Sequence, residues 1–328
     1  MNARQARQLA NRLEPAMRRA FLMAVADLKG VSLRALEQAI ATGDVAAVVR
    51  ALGLNEGSFL RFEEAIRQAY IEAGTAAVGT INQPPGRRLA ISFGTRNPFA
   101  ERYLGQVSST KVVQITQDTV EAIRGTMQVG QTLGQGPRTT ALDLVGRIVD
   151  GRRQGGVIGL TSQQAGFVGS MKAELSNPAQ MANYFTRKRR DARFDSVVRA
   201  ALADATPVAP RDIERITQRY TDRLLQLRGE TIARTETMQA LNTGTQDALR
   251  QIKEQEGLRD SQIRRVWRTA SDERVRDSHA DMNGESVGLE ERFSNGLMYP
   301  ADPGGPAEEV INCRCVYETR VDWMSNLP

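Results

Sequence analysis

Apolar side chains recur through the first 80 residues at the spacing of amphipathic helices. The first stripe has arginines on the opposite helix face, and it consists of Leu9, Leu13, Met17, Phe21, Val25 and Leu28. Ser32 and Asp44 are suitable N-caps for two short helices that follow. A further stripe runs from Phe59 to Ala73. We therefore predict an N-terminal helical region over residues 1–80.

A loop and a second helical region are expected next. Pro84-Pro85-Gly86 interrupts the pattern, which predicts a loop over residues 81–96. Helical periodicity then resumes and predicts a helical body over residues 97–229. A long helix begins near Arg211 in this reading, and Gly229 is a candidate bend within it.

The segment from Gly151 to Gly159 is rich in glycine and contains two arginines. It lacks the Gly-Lys-Ser/Thr ending of a phosphate-binding loop, and no clear strand precedes it. A flexible turn is the better interpretation. Thr161 would cap the helix that follows, with Gln164 completing a capping box.

The pattern changes beyond about residue 260, where Gly, Pro, Asn and Asp become frequent. Val316 to Val321 alternates as a strand does, and no strand-rich region is expected earlier in the chain. The predicted fold is therefore mainly α, with an elongated helical body and a small C-terminal α+β module over residues 230–328.

The charge balance allows contact with nucleic acid. The net charge is +6, and lysine occurs at only five positions, so 39 of the 44 basic residues are arginine. Arginine forks suit phosphates, although a solvated helix face is the favoured explanation of the basic run over residues 187–190. The candidate phosphate contacts are Arg152, Arg153, Arg187, Lys188, Arg189 and Arg190. No run of about 18 apolar residues occurs, so we expect no membrane partner.

Candidate chemistry is confined to the predicted C-terminal module. His279 is the only histidine, and Cys313 and Cys315 are the only cysteines. If the Cys-x-Cys segment is a strand, both thiols point to one face. With the imidazole they could supply three zinc ligands, the fourth coming from Asp277, Asp281, Glu285 or water.

Other interpretations of these three residues stay open at this stage. The two cysteines could form a strained disulfide or stay reduced and packed. A Cys–His thiol catalyst oriented by Asp277 is also conceivable. A structural histidine with two packed cysteines requires no cofactor, so we expect none and keep zinc as the alternative.

The same region predicts a short helix that carries His279. Asp272 is a suitable N-cap for a helix over residues 273–282, and Asn283-Gly284 is a suitable stop. His279 would point inward or to the rim of this helix.

Several segments, taken in order, resemble the phage Mu F-like minor head proteins. They are Ile232-Ala233-Arg234-Thr235-Glu236, the Trp267 segment, Arg274 to His279 followed by Gly284, the Pro300 loop, and Ile311-Asn312-Cys313-Arg314-Cys315. The order extends over roughly ninety residues. The resemblance implies that its motif residues serve packing rather than catalysis, and that the chain is not an enzyme. Those residues are Arg234, Glu236, Trp267, Arg274, Asp277, Gly284 and Asn312.

The resemblance also implies a function. It predicts a minor head protein of a tailed bacteriophage, which acts in head morphogenesis through contacts with the portal protein and the major capsid or scaffold protein. Such a protein would be assembled in the host bacterial cytoplasm and reside in the virion, in the head interior or at the portal vertex. One alternative is an internal virion protein that binds double-stranded DNA. Another is a zinc- or thiol-dependent enzyme.

Overall fold

The computed structural model describes residues 1–96 and 98–324 of the chain. It confirms the expected class, since the fold is mainly helical with small antiparallel sheets. The α-helices are α1 (Ala3–Lys29), α2 (Leu33–Ala41), α3 (Val45–Ala51), α4 (Leu60–Thr80), α5 (Pro98–Arg102), α6 (Ser108–Thr132), α7 (Pro137–Val145), α8 (Ser162–Ser176), α9 (Asp195–Ala203), α10 (Pro210–Glu256), α11 (Asp277–Asp281) and α12 (Ala307–Val310).

The strands form two separate antiparallel sheets. They are β1 (Arg147–Val149), β2 (Arg152–Gln154), β3 (Ile263–Arg268), β4 (Ser286–Gly288) and β5 (Val316–Val321). β1 and β2 make a hairpin, and the larger sheet has the order β4-β3-β5. The remaining helical segments are the 3₁₀ turns Glu56–Phe59, Met181–Thr186, Ala192–Phe194 and Asp260–Gln262, and the π-helical segment Tyr103–Val107.

Local sequence signals confirmed by the structure include the helix caps. The Ser32 side chain accepts a hydrogen bond from the backbone of Ala35 at the start of α2. Thr161 and Gln164 form the reciprocal capping box that opens α8. β5 occupies the expected residues, and the segment over residues 81–96 contains no helix or strand.

α10 continues through Gly229 over 47 residues, so this glycine does not interrupt the helix, and the bend expected there stays a prediction. A helical glycine costs only about 1 kcal/mol relative to alanine. Burial of apolar side chains on both sides of this position, such as Leu225 and Ala233, outweighs that cost.

Among the residues that the structure describes, no helix combines the length and the apolar character that a bilayer crossing requires.

The chain divides into two compact units that interleave along the sequence. The first comprises Met1–Phe21, Arg61–Thr110 and Glu230–Pro328, and the second comprises Leu22–Leu60 and Lys111–Gly229. These units do not coincide with the three consecutive segments expected from the sequence. Whether those three segments are separate domains stays a prediction. The end of the expected C-terminal module, residues 325–328, and the first residue of the expected body, Asn97, lie outside the described residues.

The first unit has an apolar core between the end of α10 and the larger sheet. Its buried members are Ile81, Leu249, Ile252, Leu258, Ile263, Leu289, Tyr299, Tyr317 and Val321. β3 pairs with β5 along its whole length, so that Ile263 lies opposite Val321 and Trp267 opposite Tyr317. This sheet therefore holds one wall of the core in a fixed register.

The glycine-rich segment belongs to the second unit, and it is a packed structure rather than a flexible turn. β1 precedes this segment and pairs with β2 in a short hairpin, although the sequence indicates no clear strand there. Lys29 donates to the carbonyls of Gly155 (2.7 Å) and Gly156 (3.0 Å), and burial lowers the pKa of Lys29 to about 8. Asp222 accepts from the Gly155 amide at 2.7 Å. Spacing alone gave no indication of these distant partners.

Two of these glycines are required by backbone geometry. Gly156 has φ +75°, and a Cβ there would lie 2.3 Å from the amide nitrogen of Gly146. Gly159 has φ +88°, and a Cβ there would lie 2.6 Å from Val25. A side chain at either position is therefore excluded by both conformation and space.

We expect Gly156→Ala to lower the free energy of unfolding by about 1–3 kcal/mol, because alanine is strained at positive φ and its Cβ meets backbone. Gly166→Ala is the matched control. Gly166 is exposed within α8 and nothing lies within 4 Å of a Cβ there. This control should gain about 0.5–1 kcal/mol. Denaturant unfolding measures both changes, and equal effects would contradict the packed description of this segment.

Candidate functional site

A stretch of fifteen residues within the C-terminal half of α10 is buried on every side. Every residue from Thr235 to Leu249 is buried, although many are polar. The polar members are Thr235, Glu236, Thr237, Gln239, Asn242, Thr243, Thr245, Gln246 and Asp247. A buried polar side chain costs free energy unless it is hydrogen-bonded, so this helix requires matching partners in the surrounding chain.

Loop carbonyls of the first unit provide several of those partners. The Asn242 side chain donates to the carbonyl of Pro300 at 2.7 Å, and Gln246 donates to the carbonyl of Leu289 at 2.8 Å. The Tyr317 hydroxyl donates to the Asn242 carbonyl at 3.0 Å. These bonds fix the loop after β4 against α10, and they determine where the following residues lie.

The close approach of α4 to α10 depends on a glycine. A Cβ at Gly244 would lie 2.4 Å from the carbonyl oxygen of Tyr70. Beside it, the Tyr70 hydroxyl donates to the buried carboxylate of Asp247 at 2.8 Å. The contact between the two helices therefore excludes a side chain at position 244.

Trp267 of β3 forms the floor of the candidate site. Its indole is fully buried and makes edge contacts with the rings of His279 (centroids 5.2 Å apart) and Phe293 (5.0 Å). Arg265, two residues earlier, is also fully buried and donates to the carbonyls of Gly288, Glu291 and Met298. The tryptophan and arginine are therefore scaffold residues that hold the loops around the site.

His279 lies on α11, which is shorter than the helix expected over residues 273–282. Asp272 accepts from the Arg274 amide, and Val275 donates to the Asp272 carbonyl, so a turn precedes the helix. The imidazole is buried and directed inward, as the sequence indicated. Its Nε2 lies 2.6 Å from a carboxylate oxygen of Glu309.

The two cysteines precede the strand rather than belong to it. The expectation of a Cys-x-Cys strand is wrong, because β5 begins at Val316. Asn312 instead adopts a left-handed conformation (φ +60°) and its amide donates to the Thr235 hydroxyl at 3.1 Å. Asparagine tolerates this conformation better than most residues.

The turn at Asn312 directs both thiols toward His279. The Sγ atoms of Cys313 and Cys315 lie 3.6 and 3.5 Å from His279 Nδ1. Both cysteines are buried and free of disulfide. We call His279, Cys313 and Cys315 the His–Cys–Cys cluster.

Electrostatics within this cluster favour one thiolate. A hydrogen bond from the Cys315 thiol, reinforced by His279, holds the pKa of Cys313 well below its usual value. The same pairing with Cys313, together with burial, raises the pKa of Cys315. Burial opposes protonation of His279, yet its pKa is raised because Cys313 and Glu309 both stabilise the imidazolium.

Glu309 is the site residue that sequence reasoning missed. Asp277, Asp281 and Glu285 were the acidic candidates, and none of them joins the cluster of possible metal ligands among the described residues. Glu309 lies 30 positions from His279, on α12, so helical spacing could not connect them. Its position four residues before Cys313 was the one available signal.

The other motif residues have separate structural positions. Arg234 forms an ion pair with Glu14 (3.1 Å), and Glu236 is buried within α10. Gly284 has φ +95° and its amide donates to the Trp267 carbonyl at 2.9 Å. The side chains of Arg274 and Asp277 are exposed.

Two arginines of the basic run are already bound to carboxylates of the second unit. Arg187 makes a two-pronged contact with Glu174 (2.7 and 2.9 Å), and both side chains are largely buried. Arg190 contacts Asp195 through two bonds of 3.1 Å. These guanidinium groups therefore stabilise the unit itself.

The remaining candidate phosphate contacts differ in exposure. Arg153 donates to the carbonyl of Gly146 at 2.9 Å and is partly buried. The side chains of Arg152, Lys188 and Arg189 are exposed. Only these last three are presented to solvent without a role in the packing described above, and their contact with phosphate stays a prediction.

Together, a buried polar helix, a three-stranded antiparallel sheet and an enclosed His–Cys–Cys cluster define a compact module within a mainly helical protein. Residues 208–318 match the family model described as phage Mu protein F like protein. The matched segment, about a third of the chain, is similar to the phage Mu F-like family, and this similarity supports an assignment among bacteriophage head morphogenesis and minor capsid proteins. The resemblance expected from the sequence is confirmed, and the matched residues include the whole cluster.

No curated protein and no solved structure shows significant similarity to the chain.

The buried amide of Asn242 gives a direct test of the polar helix. Asn242→Ala removes the donor to the Pro300 carbonyl and leaves that buried acceptor without it. We expect the free energy of unfolding to fall by about 1–3 kcal/mol. Gln255→Ala, on an exposed position of the same helix, should change it by less than about 0.5 kcal/mol. Similar losses in the two variants would contradict the importance of the buried bond.

The lowered pKa of Asp191 predicts that the stability of the protein depends on pH. It is buried (3% exposed), and its hydrogen bond with Arg193, aided by Arg223, lowers its pKa to about 2. This stabilisation is complete above the ordinary carboxyl pKa of 3.8 and is lost as the pH falls through about 2. We expect Asp191→Asn to cost about 2 kcal/mol near neutral pH.

The free energy of unfolding of this variant and of the wild type can be measured in urea at a series of pH values. The difference between the two proteins should become smaller in acid. Asp204→Asn, at an exposed position, is the control and should show little change at any pH. A gap that stays constant down to about pH 3 would contradict the assigned ion pair.

Proposed function

We propose that this chain is a minor head protein of a tailed bacteriophage, acting in head morphogenesis through contacts with the portal protein and the inner capsid. The observation that carries the proposal is the match of residues 208–318 to the Mu F-like family. The matched segment is also a well-defined structural element. It contains the buried stretch of α10, strands β3 and β4, the first half of β5 and the His–Cys–Cys cluster.

The geometry supports a structural role for the cluster in preference to catalysis. His279, Cys313 and Cys315 are each at most 2% exposed. A catalytic thiol must reach its substrate, and reactive cysteines are typically partly exposed. The proposal therefore assigns no turnover to the module, and it locates the protein in the virion with other head proteins as its partners.

We expect the full-length chain to co-purify with the portal oligomer of the same phage when the two are co-expressed. The physical reason is that a minor component present in few copies must bind a defined site on the head rather than coat it. Affinity capture followed by mass spectrometry measures the association, and a protein of similar net positive charge is the control for non-specific binding.

Nuclease treatment separates this proposal from the DNA-binding alternative. Association with the portal should persist after the nucleic acid is digested. If it disappears, and if DNA affinity falls steeply with salt and depends on Arg152, Lys188 and Arg189, the DNA-binding alternative is favoured. Normal heads that assemble without the chain and never contain it would contradict both interpretations.

A further inference from the structure

The His–Cys–Cys cluster brings three good metal ligands together from distant parts of the chain. His279 Nδ1 and the Sγ atoms of Cys313 and Cys315 all lie within 4.8 Å of one another. The imidazole comes from α11, while both thiols come from the turn before β5. A purely apolar packing of two cysteines would not require an imidazole nitrogen directed at both sulfur atoms.

The distances match those of a tetrahedral zinc ion. Zinc–sulfur bonds of about 2.3 Å and zinc–nitrogen bonds of about 2.0–2.1 Å, at the tetrahedral angle, separate nitrogen from sulfur by about 3.6 Å. The observed separations between His279 Nδ1 and the two Sγ atoms are 3.6 and 3.5 Å. The two nitrogen–sulfur separations therefore suit ligands that share one tetrahedral ion.

Glu309 provides the outer support that a metal-binding histidine needs. Its carboxylate lies 2.6 Å from His279 Nε2, on the side of the ring away from the thiols. A proton held on Nε2 by this carboxylate leaves the lone pair of Nδ1 free for a metal. Ser278 donates to Glu309 at 3.2 Å and Asn295 donates at 3.5 Å, so the carboxylate is itself held in place.

We propose that His279, Cys313 and Cys315 bind one zinc ion through Nδ1 and the two Sγ atoms, with Glu309 as the positioning residue for the imidazole. Two thiolates and an imidazole are the ligand types that favour zinc over magnesium or calcium. Among the described residues, no further His, Cys, Asp or Glu joins the cluster. These three residues therefore supply three of the four ligands of a tetrahedral ion.

The proposed ion would connect α11 to the turn that precedes β5. It would lie next to the buried Trp267 ring, which contacts the His279 ring by its edge. Because all the ligands are buried, the ion acts as a structural cross-link of this module. Its binding free energy then contributes to folding.

Metal analysis of the isolated full-length chain tests the proposal independently of head assembly. Protein purified under reducing conditions and supplied with zinc should contain one zinc ion per chain. Cobalt(II) in its place should show thiolate charge-transfer bands and the intense visible absorption of a tetrahedral site. A chelator should lower the melting temperature, and added zinc should restore it.

Variants separate a metal ligand from a merely buried residue. Cys313→Ser, Cys315→Ser and His279→Ala should each abolish stoichiometric zinc, and Glu309→Gln should weaken zinc affinity by about 10–100-fold. Val316→Ala is the matched control, since Val316 is fully buried next to Cys315. It should lower the melting temperature while retaining zinc and the response to the chelator.

Several results would overturn the proposal. They are wild-type protein that takes up no zinc when reduced, a melting temperature unaffected by the chelator, and a Cys313–Cys315 disulfide that is retained in the presence of zinc. If a ligand variant fails to fold, the cobalt spectrum of the wild type and the Glu309→Gln affinity still decide the question. Because zinc is measured on the isolated chain, its absence would leave the proposed role in head assembly unaffected.

Discussion

The burial of a polar helix is the constraint on which the first unit depends. From Thr235 to Leu249, α10 has no face in contact with solvent, so its amides and hydroxyls are desolvated and are stabilised where they hydrogen-bond within the protein. The side chains of Asn242 and Gln246 donate hydrogen bonds to the carbonyls of Pro300 and Leu289, and these bonds fix the loop after β4 against the helix. An apolar helix would pack in many orientations, whereas these bonds specify one.

The His–Cys–Cys cluster is a consequence of the same arrangement. The amide of Asn312 donates to Thr235 on α10, and the left-handed turn at Asn312 directs Cys313 and Cys315 toward His279. The polar helix thus positions the turn, and the turn positions the thiols. Both the buried stretch of the helix and the cluster lie within the matched residues 208–318.

In the second unit, the corresponding constraint is the close packing around the glycine-rich segment. Gly156 and Gly159 adopt positive φ where no Cβ would fit, and Lys29 donates to the carbonyls beside them. The segment has the composition of a flexible loop, but its carbonyls and one of its amides are bound by the charged side chains of Lys29 and Asp222. Composition alone therefore misled the prediction of flexibility, because the partners are more than sixty residues away in sequence.

The sequence by itself determined the features that rest on local interactions. Apolar periodicity, the caps at Ser32 and Thr161 and the alternation of β5 all act over a few residues, and the ordered motifs identified the family. Tertiary structure alone decided the continuity of α10 at Gly229, the encounter of His279 with the thiols and the placement of Glu309. Each of these depends on packing or pairing between groups brought together from distant positions, and short-range spacing carries no information about such contacts.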